Sequence, residues 1–466
     1  MKKPHLQVTW PLTFLFTAFP IWWLLGVASF TWVIMAVPLI IAILWRGWTR
    51  VPVAFVLWLA FVSWVFLSGL QITTGTTIIT FVYRLVLYAM AGVLFLYVYN
   101  LPRSGQLDGK VLRILTIFWM VVVAGGYAGI LLGSHTFIPP FDHLLPHGLR
   151  NKPFVQELVL PVFAQVQNFL GYPVPRPAAP FAYTNDWGGN IAVLTLVAFA
   201  ALSTPGHARW RRFVLVMLFL SIVPMVFSLD RGMFLSLVVG LVYLMVRVAM
   251  RGRLTVLVMV LTVAGLAVIV ITLTPLGHLL ATSVSSTHGN SNRTRLSLYT
   301  QASAGVAASP FFGYGAPKLL PGQTAGAAIG TQGQFWMVLY SHGYPAAIFF
   351  LGFFLAVLWQ TRRARGTVGL CLHAIPIVAL VQVAVYGWLP VELQVIMVAA
   401  ALTYRLCSRP GESPEGSGTA RRPLVSVRPA DIQLVGEGQP RAPSVLTGGH
   451  DEQQLFPRTM WPKESR

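Results

Sequence analysis

Three arginines in two short polar motifs are the residues of this chain best suited to chemistry. Arg231 follows Asp230 in S-L-D-R-G-M, and Arg293 and Arg295 lie in S-N-R-T-R-L-S-L-Y. Guanidinium groups bind phosphate oxygens through paired hydrogen bonds and stay protonated at neutral pH. Together these motifs are suited to binding an anion with phosphate-like oxygens. Taken singly, each arginine also fits a helix end or a solvated loop.

A fourth arginine, Arg84, falls well inside an apolar segment, roughly 12 Å from its outer end at 1.5 Å per residue. Placing arginine deep in lipid costs at least ~2.5–3.5 kcal/mol, so we expect Arg84 to face the interior of a helix bundle. It either helps to bind a substrate there or forms a structural ion pair.

Four residues at the start of another apolar segment suit glycan hydroxyl groups. Tyr183 and Trp187 offer aromatic faces, and Asn185 and Asp186 offer amide and carboxylate groups. An aromatic belt at the membrane surface explains Trp187 equally well.

The order of these motifs resembles the O-antigen ligase/polymerase-like family of membrane glycosyltransferases. The resemblance covers residues 180–360. Its motifs are P-F-A-Y-T-N-D-W-G at 180–188, R-G at 231–232, R-L-x-x-aromatic at 295–299, P-F-F-G-Y-G at 310–315 and G-T-Q-G-Q-F-W at 330–336.

The resemblance implies a transferase at the outer face of the plasma membrane. Its donor is a polyprenyl-pyrophosphate-linked saccharide, and its acceptor is a hydroxyl of a glycan or lipid. Arg231 and Arg295 match the family's arginine positions and are the first candidates for catalysis, with Arg293 as a neighbouring alternative. Gln332 stands where ligases of this family carry histidine.

That glutamine changes the expected chemistry, because an amide does not accept a proton as a general base at neutral pH. Gln332 is still able to orient an acceptor hydroxyl. Other residues remain open as the base, and His342 is also a candidate substrate-binding or packing residue inside a helix. The alternative bases are Glu157, Asp186, Asp230, His288 and His342. The sequence has no zinc-like Cys/His cluster and no glycine-rich nucleotide loop, so we expect neither a metal nor a cofactor.

Composition places these residues in an integral membrane protein. Hydrophobic residues make up 56% of the chain and charged residues only 10%, whereas soluble domains carry about 25% charged residues. The mean hydropathy is +0.69. The net charge of +20 lies mostly between the apolar segments, which indicates membrane topology and contact with anionic lipids rather than nucleic acid binding.

The chain is predicted to be an all-α membrane protein with about twelve spans. Short arginine-rich connections alternate with arginine-poor ones, which places both termini in the cytoplasm. Residues 1–409 form the membrane domain, and the polar residues 410–466 are predicted to be a disordered cytoplasmic tail. The predicted spans are 10–27, 30–45, 51–70, 76–99, 111–132, 187–202, 211–228, 231–249, 254–273, 334–359, 368–386 and 388–406.

Two long connections, 133–186 and 274–333, fall on the outer side. Apolar residues at near-helical spacing predict an interfacial helix over 155–169 in the first. In the second, Arg295, Leu298 and Ala302 share one helical face, which predicts a helix over 295–307. We expect this helix to cover a cavity shared by Arg231, Arg295 and Arg84.

The sequence is also compatible with two other functional assignments. Twelve spans with a buried arginine also suit a transporter or flippase of lipid-linked sugar or another anionic substrate. The loss of the family's histidine is also compatible with a catalytically inactive relative.

Overall fold

The computed structural model describes residues 6–45, 47, 49–72, 75–168, 173–204, 206–252, 288–319 and 328–407. These residues all belong to the unit Met1–Gly411. The predicted span 254–273 and the predicted tail 410–466 lie outside the described residues.

Helices account for most of the described chain. The predicted spans within it fall on helical segments, but the first, 10–27, is divided among a short helix, a π-helical turn over Thr13–Thr17 and a second short helix. The first part contains α1 (Leu6–Leu12), α2 (Phe19–Leu25), α3 (Ala28–Trp45), α4 (Phe55–Ser68), α5 (Gly75–Tyr99) and α6 (Gly105–Leu132). The outer connection that follows contains α7 (His147–Arg150), α8 (Pro153–Val159), β1 (Ala164–Asn168) and β2 (Pro173–Pro177). The remaining helices are α9 (Thr184–Leu202), α10 (Ala208–Ser228), α11 (Arg231–Ala249), α12 (His288–Ala308), α13 (Gln334–Thr361), α14 (Gly366–Gln382) and α15 (Glu392–Cys407).

Six helices of the described part are long and apolar enough to cross a membrane. A seventh span results if the segments Val8–Thr17 and Phe19–Leu25, bent by 51° at their junction, are counted as one. Helices α10 and α11 expose many large apolar side chains, among them Phe219 and Leu235. Such an apolar surface requires a lipid environment, so this is a membrane protein.

The centre of the helix bundle is formed by α9 and α15, whose residues are almost all buried. Helix α9 packs against α6 and α14, and α15 packs against α5. At one end of α15 the Arg405 guanidinium donates to Asp108 Oδ1 at 2.6 Å and to the Pro102 carbonyl at 2.9 Å. This buried ion pair ties α15 to the connection between α5 and α6.

The long connection 133–186 differs from its sequence prediction. The predicted helix over 155–169 ends at Val159, because Pro161 lacks the N–H that would continue it and favours extended backbone at Leu160. The chain then forms an antiparallel hairpin in which Ala164 pairs with Pro177 and Asn168 with Pro173. The all-α prediction was therefore wrong for this segment.

The long connection 274–333 contains the predicted helix. Helix α12 runs over His288–Ala308, with Leu298 and Ala302 buried. It packs against α13, and the Tyr299 ring stacks on Trp336 with 4.8 Å between ring centroids. The helical part of this prediction is confirmed.

The P-F-F-G-Y-G segment has a structural role at a break in α13. Gly343 has a φ of +79°, and a Cβ there would overlap the Phe311 carbonyl. The Tyr344 N–H donates to the Pro310 carbonyl at 2.8 Å, and the Gly315 N–H donates to the Ser341 carbonyl at 2.7 Å. The break in α13 thus holds the segment that connects it to α12.

Candidate functional site

One large cavity, of about 1660 Å³, lies where the two long connections, 133–186 and 274–333, meet the bundle. Its walls come from α3, α5, α8, the hairpin, the start of α9, the junction of α10 and α11, and residues 385–392. Charged side chains of both signs line it. They are Arg84, Lys152, Arg176, Arg231 and Arg295, and Glu157, Asp186, Asp230 and Glu392.

Arg231 reaches the cavity from the sharp junction between α10 and α11. Leu229 has a φ of +47°, an uncommon conformation for a residue other than glycine. Asp230 then caps α11, since its carboxylate accepts from the Met233 N–H at 3.4 Å. Arg231 is the first residue of the helix and is exposed to the cavity.

Arg176 joins this cation cluster from strand β2. Its Nε donates to the Ser228 carbonyl at 2.7 Å, and its Nη1 donates to Gln167 Oε1 at 2.9 Å, so the hairpin is anchored to the end of α10. Burial lowers the pKa of Arg176; Asp230 and Tyr386 oppose this shift, whereas Arg295 and Arg231 add to it. The three arginines therefore repel one another, and an anion among them would relieve that repulsion.

Arg84, on α5, is the remaining arginine that lines the cavity. Its Nη1 has no hydrogen-bond partner among the described residues. The neighbouring Tyr83 hydroxyl donates to the Ser29 carbonyl at 3.1 Å, which fixes this turn of α5 against α3. The structure therefore brings Arg84, Arg231 and Arg295 to one cavity. Arg293 lies on α12, in the stretch whose side chains are outside the described residues.

Two carboxylates lie against consecutive glycines of α9. A Cβ on Gly188 would overlap Asp230 Oδ2, and a Cβ on Gly189 would overlap Glu392 Oε2. The Tyr386 hydroxyl donates to Asp230 Oδ1. Within the described chain, Asp230 Oδ2 and both oxygens of Glu392 have no hydrogen-bond partner. The glycines thus make room for two buried acids at the edge of the cavity.

The predicted glycan-binding residues divide into two groups. Tyr183, Asn185 and Asp186 line the cavity. Trp187 does not, because its side chain is buried in the bundle and its indole Nε1 donates to the Val122 carbonyl at 2.9 Å. The prediction that Trp187 contacts substrate was therefore wrong.

His342 is also a packing residue. Its Nδ1 shares a hydrogen bond of 2.6 Å with Ser68 Oγ, and its ring packs edge-on to Phe81 and Tyr88. It is 2% exposed and is not among the cavity-lining residues. The prediction that it binds substrate is replaced by a structural role.

Gln332 and Gln334 have different positions despite their proximity in sequence. Gln332 is half-buried in the cavity wall. Gln334 is fully buried; its Nε2 donates to the Tyr88 hydroxyl at 2.8 Å, and its Oε1 accepts from the Trp388 N–H at 3.0 Å. Only Gln332 is placed to meet a substrate.

Sequence reasoning missed Arg176, Tyr386 and Glu392 as cavity residues. A signal existed for Glu392, because an acid at the start of an apolar helix is rare and is usually functional.

No group of three His, Cys, Asp or Glu residues in the described chain is arranged to hold a metal ion. No protein-family model matches the sequence, and no curated protein matches it significantly.

Proposed function

We propose that this protein is a glycosyltransferase of the plasma membrane. It transfers a saccharide from a polyprenyl-pyrophosphate donor to a hydroxyl of a glycan or lipid acceptor at the outer face. The observation that supports this most directly is the convergence of Arg84, Arg176, Arg231 and Arg295 on one large cavity. Four cations around a common space suit a pyrophosphate, which carries a dense negative charge.

The proposal includes a topology of twelve spans with both termini in the cytoplasm. Arg231 and Arg247 lie on the same helix, α11, about 24 Å apart at 1.5 Å per residue. Arg231 faces the cavity, whereas Arg247 lies at the other end of the helix, near Arg251. There Arg247 donates to the Arg362 carbonyl and Arg251 donates to the Ala364 carbonyl. The arginine-rich end belongs in the cytoplasm by the positive-inside rule, so the cavity opens outside.

In the proposed reaction the arginines act electrostatically. The acceptor oxygen attacks C1 of the donor sugar, and the bond from C1 to the pyrophosphate oxygen breaks. The departing pyrophosphate gains negative charge, which the guanidinium groups stabilise where it develops. Gln332 lies in the wall of the same cavity and orients the acceptor hydroxyl.

Transfer of an oligosaccharide from a polyprenyl-pyrophosphate donor, measured in membranes containing the protein, tests the proposal. We expect transfer by the wild type and a strong loss for Arg231→Ala. Arg150→Ala is the matched control, because Arg150 is an arginine of the outer connection that pairs with Asp142 and does not line the cavity. Equal loss in both variants, or no transfer by the wild type, contradicts the proposal.

The second candidate function is transport of a lipid-linked sugar or another anionic substrate. It is favoured by Glu392, which is 1% exposed, lines the cavity and has no hydrogen-bond partner among the described residues. Buried acids of this kind carry protons or cations in many transporters. Movement of the donor across proteoliposomes without glycan transfer would favour this function over the first.

A further inference from the structure

The four carboxylates that line the cavity differ in their burial and in the hydrogen bonds that they accept. The Asp230 carboxylate caps α11 and accepts from the Tyr386 hydroxyl, and it is 5% exposed. Glu392 is buried against Gly189. Neither group has an oxygen that a bulky acceptor is able to approach.

Asp186 is engaged in a different way. Helix α9 begins after Tyr183, and the Asp186 carboxylate reaches back to the Tyr183 backbone N–H. This is one half of a capping box, in which the third residue of a helix reaches back to the N–H of its cap; Tyr183 gives no cap hydrogen bond from its own side chain. The Asp186 side chain therefore has a structural task at the start of α9.

Glu157 is the remaining acid, and it is exposed to the cavity. It lies on α8, which is held in place because Val155 and Val159 are buried and the Ser29 hydroxyl donates to the Leu158 carbonyl at 3.1 Å. Tyr183, at the start of α9, lies beside Glu157 in the cavity wall and opposes the rise in the pKa of its carboxylate that desolvation causes. No hydrogen bond among the described residues occupies both of its oxygens, so the carboxylate keeps accepting capacity for an acceptor hydroxyl.

We propose that Glu157 is the general base of the transfer reaction, an inference that rests on the proposed function. The acceptor hydroxyl gives its proton to a Glu157 oxygen as the acceptor oxygen bonds to C1 of the donor sugar. The C1–oxygen bond to the pyrophosphate breaks, and its electron pair stays on the pyrophosphate. The proton on Glu157 then passes to water. This assigns to α8 the proton transfer that the amide of Gln332 does not perform.

The surroundings of Glu157 favour this role. The protein around the Glu157 carboxylate shields it partly from water and so raises its pKa, although the side chain is open to the cavity; Tyr183 and the positive charge of Arg84 oppose that shift. The charged and titratable groups around it are Lys152 at the N-cap of its own helix, Tyr83 and Arg84 on α5, and Tyr183 and Asp186 at the start of α9. A carboxylate whose pKa is raised toward neutrality is a stronger base than free glutamate.

The test compares Glu157→Gln with Gln156→Ala, a neighbour on α8 that does not line the cavity. Loss of a general base lowers the rate by about 10²- to 10⁴-fold, and we expect a loss of that size in kcat for Glu157→Gln. Gln156→Ala keeps the wild-type rate. Thermal unfolding of both variants verifies that they are folded.

Two further measurements separate a base from a structural residue. Added formate restores part of the rate of Glu157→Ala, because a small carboxylate fills the vacated position. The wild-type rate falls as the pH is lowered through the raised pKa of Glu157, because protonation removes the base; the residual rate of Glu157→Gln stays flat over that range.

The outcomes distinguish this inference from the function on which it rests. A wild type that transfers glycan, together with a Glu157→Gln variant within threefold of it, overturns the role of Glu157 alone. Loss of transfer in Asp186→Ala with rescue by formate assigns the base to Asp186 and also overturns it. A wild type that transfers no glycan overturns the function and the role of Glu157 together.

Discussion

Arg295 and Gln332 line the same cavity, yet we expect their substitution to have different effects. Arg295→Lys keeps the charge but loses the paired donors of the guanidinium, and hydrogen bonds to charged groups are worth about 1.5–3 kcal/mol. We therefore expect transfer to fall by roughly ten- to a hundredfold. Gln332→Ala loses a neutral hydrogen bond of about 0.5–1.5 kcal/mol, which is roughly a tenfold loss at most. Both rates are measured with the lipid-linked donor in membranes.

Arg150→Lys serves as the control for the first variant, since it makes the same change outside the cavity. Expression of each variant is checked in the same membranes. A rate for Arg295→Lys equal to that of the wild type would remove the argument that a bidentate contact to phosphate matters.

At the residue scale, the sequence predicts cations better than it predicts aromatic groups. Arg84, Arg231 and Arg295 reach the cavity as expected, because the cost of placing arginine in lipid restricts it to an interior or an interface. Trp187 and His342 do not, because both side chains find partners inside the bundle, at the Val122 carbonyl and Ser68 Oγ. Spacing along a helix indicates a face but not the neighbour that meets it.

At the scale of elements, α9 depends on glycine where it passes the two buried acids. Gly189→Ala places a methyl group against Glu392 Oε2, and overpacking of this kind costs about 1–3 kcal/mol. We expect a lower thermal unfolding temperature for the detergent-solubilised variant. Gly109→Ala is the matched control, because a Cβ at Gly109 on α6 meets nothing within 4 Å. Gly109→Ala instead raises the free energy of unfolding by about 0.5–1 kcal/mol, because alanine has less backbone entropy than glycine in the unfolded chain.

The double variant Gly189→Ala, Glu392→Ala tests the cause of the destabilisation. Removing the carboxylate relieves the overlap, so the double variant is less destabilised than the sum of the two single variants. Additive effects would show that the methyl group is accommodated without touching Glu392.

The two long connections show which sequence patterns predict a secondary-structure element correctly. Helix α12 follows from a repeated helical face at Arg295, Leu298 and Ala302, which the structure reproduces as a helix with two buried positions. The hairpin after α8 was missed, because apolar residues continue at near-helical spacing past Val159. Pro161 is the physical reason that the periodic pattern does not continue as a helix there.

At the scale of the whole molecule, the cavity and the buried ion pair of Arg405 lie at opposite ends of the helices. The cavity lies at the ends where α5, α9 and α11 begin, and α5 extends about 22 Å from Arg84 to its last residue, Tyr99. Near that far end Arg405 donates to the carbonyls of the following turn. Because α5 is long enough to cross a membrane, the cavity and Arg405 lie at opposite ends of a spanning helix. In the proposed topology the end with Arg405 is cytoplasmic, since the short arginine-rich connections lie on that side.

This assignment predicts opposite labelling of two cysteines placed in a chain that carries Cys371→Ala and Cys407→Ala. Gly148 in the first outer connection is exposed with open space around its Cα, and Arg363 is exposed between α13 and α14. A membrane-impermeant maleimide should label Gly148→Cys in intact cells, because the cavity side faces outward. The same reagent should reach Arg363→Cys only after the cells are permeabilised. Labelling of Arg363→Cys in intact cells, with Gly148→Cys protected, would invert the topology and place the cavity in the cytoplasm, away from any acceptor at the outer face.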